Sequence, residues 1–191
     1  MKRHQSPWFA AATPERWDDL ARLFGPRGAC AGCWDMWWRV PSAEFDRGKG
    51  AGNRQAFQAL VASGAEPGVL AYVGEEPVGW LAIQPREAYP RLARSRSLRP
   101  VDDAPVWSVT CFFVARAHRR GGLSVGMLRA GVEHAAARGA TIVEGYPVDP
   151  RGGRLPDAFA WHGTRAAFER AGFVEVARPS ATRAIMRYTL G

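Results

Sequence analysis

The sequence predicts an α/β chain with one mixed sheet that carries helices on both of its faces. Segments typical of strands alternate with segments of helical period in the order β-β-β-α-β-α-β-β, which favours such a layered fold. One of them, residues 106–114, is strongly apolar and is expected to form a buried central strand. The chain has 191 residues, of which 47% are hydrophobic, so we expect a single domain with a sizeable core.

Two helices are predicted in the part of the chain that precedes the first strand. Residues 14–24 carry apolar side chains at helical spacing, with Thr13 in the N-cap position and Gly25 after the last turn. Residues 53–63 show the same spacing and end before Gly64.

A β-hairpin and a long loop are predicted next. Residues 69–73 and 78–83 have the composition of strands, and the turn-forming residues 74–77 join them. Residues 85–105 contain many Arg and Pro residues and no period, which predicts a loop that leads into the central strand. Long loops inside compact domains are often functional.

The last third of the chain alternates helices and strands. The predicted elements are a helix at residues 123–138, a strand at 141–146, a loop at 149–157, a helix at 164–171 and strands at 173–177 and 183–189.

Composition restricts the classes of protein to which this chain can belong. No window is apolar for the length that crosses a bilayer, and the basic first residues precede a charged, turn-rich stretch instead of a signal peptide. Three cysteines are too few for a disulfide framework and indicate a reducing compartment. We therefore expect a cytoplasmic protein with no membrane partner.

The positive charge favours anionic ligands. The formal net charge is +8, from 26 basic and 18 acidic residues, and Arg suits the binding of phosphate and carboxylate groups. Base composition of the genome is an alternative cause of this Arg content. The Arg residues are scattered and no nucleic-acid-binding signature accompanies them, so we expect no nucleic-acid partner.

Cysteine spacing is compatible with half of a metal site. Cys30 and Cys33 have the spacing of one ligand pair, but no second pair follows and Cys111 lies on the predicted central strand. We therefore expect no metal, while a redox role for the pair stays open.

The most informative segment joins the central strand to the following helix. It contains Arg119, Arg120, Gly121, Gly122, Leu123 and Ser124. Such a turn leaves main-chain N–H groups at the positive end of the helix dipole, which forms an anion site. An ordinary basic turn is the alternative interpretation.

Two motifs in this part of the chain resemble those of the GNAT superfamily of N-acetyltransferases. The coenzyme A signature of that superfamily is Arg/Gln-x-x-Gly-x-Gly/Ala, and Arg119 and Gly122 match it while Ser124 replaces the last small residue. Phe168 and Gly172 match the later helix of the superfamily. The resemblance covers residues 66–190 and implies a GNAT-like, mostly antiparallel sheet, with residues 1–65 as a helical region on the acceptor side of a single acyl-CoA N-acyltransferase domain.

The resemblance also implies contacts with acetyl-CoA as co-substrate. The main chain of Phe112, Phe113 and Val114 would bind the pantetheine arm, and Thr164 and Phe168 would line that arm. The pyrophosphate would lie against Arg119, Arg120, Gly121, Gly122, Leu123, Ser124 and Val125.

Two catalytic positions of the superfamily are altered here. A Tyr that often serves as general acid is replaced by Phe168, and a carboxylate on the central strand is replaced by Ser108. Glu144 and Tyr146 share one face of the neighbouring strand, so we predict Glu144 as base and Tyr146 as acid or substrate contact. The alternative is that both are edge residues of the sheet.

The acceptor is expected to be a primary amine of a small molecule. Trp34, Trp37 and Trp38 are interpreted as an aromatic wall of the acceptor pocket, with core packing as the alternative. A protein N-terminal or lysine acetyltransferase and a non-catalytic acetyl-CoA-binding regulator stay open as functions. Members of the superfamily often form dimers, so a homodimer also stays open.

Overall fold

The computed structural model describes residues 5–149 and 161–191, and they form one seven-stranded sheet with helices on both faces. The strand order is β1-β2-β3-β4-β5-β7-β6. Every neighbouring pair is antiparallel except β4 and β5, which are parallel. The predicted mixed, mostly antiparallel sheet with flanking helices is therefore confirmed.

The strands are β1 Trp8–Ala11, β2 Gly68–Val73, β3 Glu76–Pro85, β4 Trp107–Val114, β5 Ile142–Gly145, β6 Val174–Ser180 and β7 Arg183–Thr189. The helices are α1 Trp17–Phe24, α2 Ser42–Gly48, α3 Ala51–Ala62, α4 Pro90–Arg94, α5 Leu123–Ala136 and α6 Arg165–Ala171. Single 3-10 turns lie at Pro14–Arg16, Arg86–Ala88 and Arg116–His118.

The sheet separates two apolar clusters. On one face, α5 and α6 bury side chains such as Met127 and Phe168 against Leu81 of β3. On the other face, α1 and α3 bury Leu20 and Phe57, together with Trp80 of β3. Because the side chains of a strand alternate between the faces, β3 supplies both clusters, which explains why it is buried over most of its length.

A third apolar cluster lies beside the second one, at the α4 side of the sheet. It contains Tyr89 and Leu92 from the segment after β3, Leu98, Tyr146 and Ile185, and Trp38 packs against it. The predicted loop at residues 85–105 is thus wrong in part, because it includes a 3-10 turn and α4. Pro90 starts this five-residue helix and a single buried Leu92 anchors it, which is too short a pattern to recognise by period.

The prediction of a helical region at residues 1–65 is wrong in part, because the described residues of this region also include a strand. Trp8–Ala11 pairs with β2 and forms the edge strand β1. The first predicted helix begins as a 3-10 turn at Pro14, and the Thr13 side chain makes no capping hydrogen bond.

Only Asp149 of the predicted loop 149–157 lies among the described residues. Within the described residues, no helix has the length and apolar character that a membrane span requires.

Candidate active site

Strands β4 and β5 separate part-way along the sheet. Their last paired residues are Val109 and Gly145, although β4 continues to Val114. On its other side, β4 pairs with β3 with a shift of register that leaves Thr110 as an extra residue. A bulge of this kind bends a strand, so β4 turns away from β5 at Thr110. We call the opening between the two strands the fork.

The edge of β4 beyond the fork forms no ladder with β5 among the described residues. It carries three of the residues predicted to bind the coenzyme, namely Phe112, Phe113 and Val114. The Phe112 side chain packs on the α5 side of the sheet and the Phe113 side chain on the α1 side. Among the described residues, no ladder with β5 occupies the main-chain groups on this edge, and an extended ligand lying between the strands would hydrogen-bond to them.

The predicted anion-binding turn follows directly at the end of β4. Gly122 is the N-cap of α5 in a left-handed conformation, with φ of 78°, and no side chain caps the helix. The first N–H groups of a helix have no carbonyl one turn earlier, so those of Leu123 and Ser124 depend on an outside acceptor. The Val125 N–H is bonded to the Gly122 carbonyl at 3.0 Å.

Positive side chains surround this helix end. Arg119 and Arg120 are exposed, and the Arg119 Nε donates to the Val114 carbonyl at 3.0 Å. That bond ties the turn to the last residue of β4. Gly121 is exposed as well, and a Cβ there would come no closer than 3.8 Å to the His118 carbonyl.

The far wall of the fork comes from the segment that leads into α6. Thr164 caps α6, since its Oγ1 accepts from the Ala167 N–H at 3.3 Å. Phe168 is fully buried and stands edge-to-face against Phe112, with 5.9 Å between the ring centres. Of the two residues predicted to line the coenzyme arm, Thr164 is partly accessible, while Phe168 packs in the core below the fork.

Glu144 lies in a buried charge network on the α1 face of the sheet. It is 0% exposed, and its Oε2 accepts from the Arg187 Nε at 2.8 Å. Its Oε1 accepts from Arg86 at 3.2 Å and from the Tyr146 hydroxyl at 2.8 Å. Arg187 also binds Asp102 at 2.6 and 3.0 Å. Two guanidinium groups thus compensate the buried carboxylate.

Tyr146 stands at the fork, because it follows Gly145, the last residue of β5 that pairs with β4. Its hydroxyl lies 2.8 Å from the Ser108 Oγ and accepts from Arg86 at 2.6 Å. Burial, and then the nearby Glu144 carboxylate, raise the pKa of this phenol. Tyr146 therefore stays protonated at neutral pH. The sequence analysis did not identify Arg86 and Arg187 as site residues. They lie far from Glu144 in the sequence, and no local pattern shows that both bind it on β5.

The sequence of this chain matches the model of one protein family. The model of the GNAT acetyltransferase family matches residues 33–149, which is more than half of the chain and includes β4, the turn and α5. The chain belongs to the GNAT family. No curated protein matches its sequence significantly.

Several solved structures share the fold of this domain at low sequence identity. A GNAT-family acetyltransferase from Desulfovibrio desulfuricans matches with a TM-score of 0.54 and 17% identity over 96% of this chain and 99% of that one. Aminoglycoside acetyltransferase AAC(6')-Ib in complex with coenzyme A matches with a TM-score of 0.52 and 19% identity, and the match covers 96% of this chain and 95% of that one. A chain of the NatC complex bound to Gag peptide and CoA matches with a TM-score of 0.52 and 8% identity, and the match covers 97% of this chain and 99% of that one.

The three tryptophans predicted to line an acceptor pocket lie in different surroundings in this GNAT domain. Trp34 is 4% exposed and stacks on Trp17 within the α1-side cluster, which agrees with core packing. Trp37 is 37% exposed, and the guanidinium of Arg91 lies 3.8 Å from its ring centre. Trp38 alone of the three packs against the cluster that contains Tyr146.

Two of the three cysteines of this GNAT domain are held as thiols by their surroundings. Burial, and next the Asp35 carboxylate, raise the pKa of Cys33 to about 11, and burial raises that of Cys111 well above its usual range. Both therefore remain thiols at neutral pH. Cys30 is exposed. The described residues contain no cluster of three or more His, Cys, Asp or Glu that could hold a metal ion.

Proposed function

We propose that this protein transfers the acetyl group of acetyl-CoA to a primary amine of a small molecule. The observation that carries the proposal is the uncapped N-terminus of α5, which follows directly on the strand that leaves its partner at Val109. Family membership makes acyl transfer the expected chemistry, and a neighbour in fold has been solved with coenzyme A.

The residues at this end of the sheet fit the coenzyme. A pyrophosphate is an anion, and the N–H groups of Leu123 and Ser124 together with the helix dipole attract it. Arg120 adds an exposed positive charge beside them. The open edge of β4 at residues 112–114 offers main-chain donors and acceptors for the amides of the pantetheine arm.

Proton transfer is assigned to the side chains at the fork. The acceptor amine must lose a proton and the departing thiolate must gain one, while acetyl-CoA supplies the activated acyl group. The Tyr146 hydroxyl remains protonated and can donate. Glu144 is held by Arg86 and Arg187, so it acts through Tyr146 and does not contact the amine itself. When the Tyr146 oxygen takes the proton of the amine, the tyrosine's own proton passes to the Glu144 Oε1, 2.8 Å away. That proton returns from Glu144 to Tyr146 as the Tyr146 hydroxyl donates to the departing thiolate, so the amine loses one proton and the thiol gains one.

Binding and turnover test this proposal separately. We expect acetyl-CoA to raise the melting temperature of the chain, and above its Kd the shift should grow with the logarithm of the acetyl-CoA concentration, because acetyl-CoA binds only the folded state. We also expect thiol release that depends on an added amine, with the acetylated amine identified by mass spectrometry. A chain that shows neither a thermal shift nor heat on titration with acetyl-CoA would contradict the proposal as a whole.

A non-catalytic acetyl-CoA-binding regulator is the second candidate. The replacement of the usual catalytic groups by Ser108 and Phe168, and the enclosure of Glu144 by two arginines, favour it. Coenzyme binding without turnover on small amines, or on peptides with free N-termini and lysines, would select this alternative. Turnover on peptides alone would instead select a protein acetyltransferase.

A further inference from the structure

The wall of the fork opposite β4 contains a buried polar side chain that the proposed mechanism does not use. His162 is 5% exposed. Its Nδ1 is buried and has no hydrogen-bond partner within the part of the chain that the structure describes. A buried polar atom without a partner loses its bonds to water and gains none in return, so such atoms are rare in native structures. An atom of this kind beside a candidate active site is expected to find its partner in the ligand.

The segment that contains His162 takes the place beside β5 that β4 leaves at the fork. Val148 continues the line of β5 and forms bridges with Arg183 of β7 and with Thr164. The Val148 N–H donates to the Gly163 carbonyl at 3.1 Å. Because β7 lies on the side of β5 away from β4, the segment at residues 162–164 lies on the β4 side. It therefore faces the open edge of β4 across the fork.

Neighbouring residues of this segment contact opposite faces of the sheet. Gly163 lies against Phe112 of β4 on the α5 side, where an added Cβ would come within 2.9 Å of the Phe112 ring. The His162 ring lies on the other side, with its centre 5.8 Å from that of Trp38. Trp38 packs against the cluster that contains Tyr146. His162 thus borders the fork on the face that carries the Tyr146 hydroxyl.

Two indole rings hold the His162 imidazole in this position. The ring centres of Trp161 and His162 are 3.8 Å apart, and those of Trp38 and Trp161 are 6.4 Å apart. Burial, and next the charge of Arg183, lower the pKa of His162 to about 3. The ring is therefore neutral at neutral pH, and one nitrogen of a neutral imidazole accepts a hydrogen bond. A side chain that is already held in place loses little entropy when it binds.

From this arrangement we infer that the Nδ1 of His162 accepts a hydrogen bond from the acceptor amine and thereby selects primary amines. The inference rests on the proposed function, since it names a substrate contact of that site. A primary amine has two N–H groups. One gives its proton to the Tyr146 oxygen, the other donates to His162, and the lone pair stays free to attack the acetyl group. A secondary amine has a single N–H and leaves His162 unpaired. His162 gains no proton in the reaction.

Three substitutions separate the hydrogen bond of His162 from the shape of its ring. Asn has an amide near the place of Nδ1, Gln has one near the place of Nε2, and Phe keeps a ring without an acceptor. With benzylamine and with ethanolamine, we expect kcat/KM to fall about tenfold in His162→Phe and His162→Gln. His162→Asn should stay within about threefold of the wild type, and the KM of acetyl-CoA should not change. Equal losses in all three variants, or no loss in any, would overturn the inference.

The preference for primary amines is a readout that a purely structural role of His162 would not move. N-methylbenzylamine and N-methylethanolamine are the matched secondary amines. The ratio of kcat/KM between each primary amine and its N-methyl partner should be about tenfold smaller in His162→Phe than in the wild type, because only the primary amine loses a bond. His162→Asn should keep the wild-type ratio. An unchanged ratio in His162→Phe would overturn the inference and leave the acetyltransferase proposal intact.

The ligand-free chain gives a second test that does not depend on turnover. His162→Phe removes an unsatisfied buried atom, so the melting temperature should rise by about 2 °C although turnover falls. Melting temperatures that are lower in both His162→Phe and His162→Gln than in His162→Asn would show that Nδ1 already bonds within the protein, and would overturn the inference.

Direct binding of the amine separates a failure of this inference from a failure of the proposed function. With coenzyme A at saturation, calorimetric titration with benzylamine or ethanolamine should give about tenfold weaker binding in His162→Phe than in the wild type and in His162→Asn. If no amine is acetylated, this titration decides. Equal affinities in the wild type and His162→Phe, or no heat in either, overturn the inference.

Discussion

Glu144 shows how one buried residue connects structure and chemistry at the fork. Its side chain is 1% exposed and lies between Arg86 and Arg187, which are 12% and 9% exposed. Removing one partner of a buried ion pair leaves a charge without compensation, which costs roughly 3–5 kcal/mol. The same carboxylate orients the Tyr146 hydroxyl, so substitutions at the two positions should have different consequences.

At the residue scale, we predict that Glu144→Gln mainly lowers stability and Tyr146→Phe mainly lowers turnover. The Gln variant leaves two guanidiniums facing a neutral amide, and the free energy of unfolding should fall by about 3 kcal/mol. The Phe variant loses one hydroxyl, which costs about 1 kcal/mol, but its kcat should fall by about 100-fold or more without a change in KM. Urea unfolding and steady-state thiol release measure the two effects.

Full kcat in Tyr146→Phe would exclude Tyr146 as the proton donor. Full kcat in Glu144→Gln at saturating amine would remove Glu144 from the reaction and leave it a structural residue. Ser108→Ala serves as the control, because its Oγ contacts the Tyr146 hydroxyl without contacting Glu144 in any described hydrogen bond.

At the element scale, β4 and α5 were predicted almost to their ends. The predicted strand 106–114 is observed as Trp107–Val114, and the predicted helix 123–138 as Leu123–Ala136. Their signals are local: a continuous apolar run, glycines in the turn, and apolar residues at helical spacing. By contrast, β1 is a strand because it pairs with β2, and its four residues carry too little pattern to be recognised alone.

We predict opposite effects on stability and binding when a negative charge is placed at the N-terminus of α5. Ser124→Glu should raise the free energy of unfolding by about 0.5 kcal/mol, because the helix dipole favours an acidic residue there. The same charge should repel the pyrophosphate and weaken coenzyme A binding by about tenfold or more. Chemical denaturation and calorimetric titration with coenzyme A measure the two quantities.

Ala136→Glu is the matched control, since it adds the same charge at the exposed last turn of the same helix. This variant should bind coenzyme A like the wild type and be slightly less stable, because the dipole disfavours an acidic residue at a C-terminus. If both variants bind coenzyme A with unchanged affinity, the pyrophosphate does not lie at this helix end.

At the scale of the whole molecule, stability depends on keeping buried histidines neutral. His134 is 8% exposed on α5 and packs near Trp107, and its Nε2 has no hydrogen-bond partner among residues 5–149 and 161–191. Burial lowers its pKa from 6.5 to about 4. Between pH 6.5 and about pH 4, His134 is therefore protonated in the unfolded chain but neutral in the folded chain. Stability that is complete above pH 6.5 is lost as the pH falls towards 4.

We predict that the free energy of unfolding falls between pH 7 and pH 4, and that His134→Leu reduces this fall by about 3 kcal/mol. His162, whose pKa burial lowers to about 3, contributes to the remaining fall over the same range. Urea unfolding at several pH values measures the dependence. His118→Gln, a less buried histidine, should show the full wild-type fall, and an equal fall in His134→Leu would contradict the assignment to His134.

The sequence by itself determined the family, the order of the main elements and the position of the turn that we propose binds an anion, because these depend on neighbours within a few residues. Only the tertiary structure decided what Glu144 and Tyr146 contact, since Arg86 and Arg187 reach them from other parts of the chain. It also separated Trp34 in the core from Trp38 beside Tyr146. Contacts between distant segments depend on strand register and packing, so they cannot be predicted from the local pattern of residues.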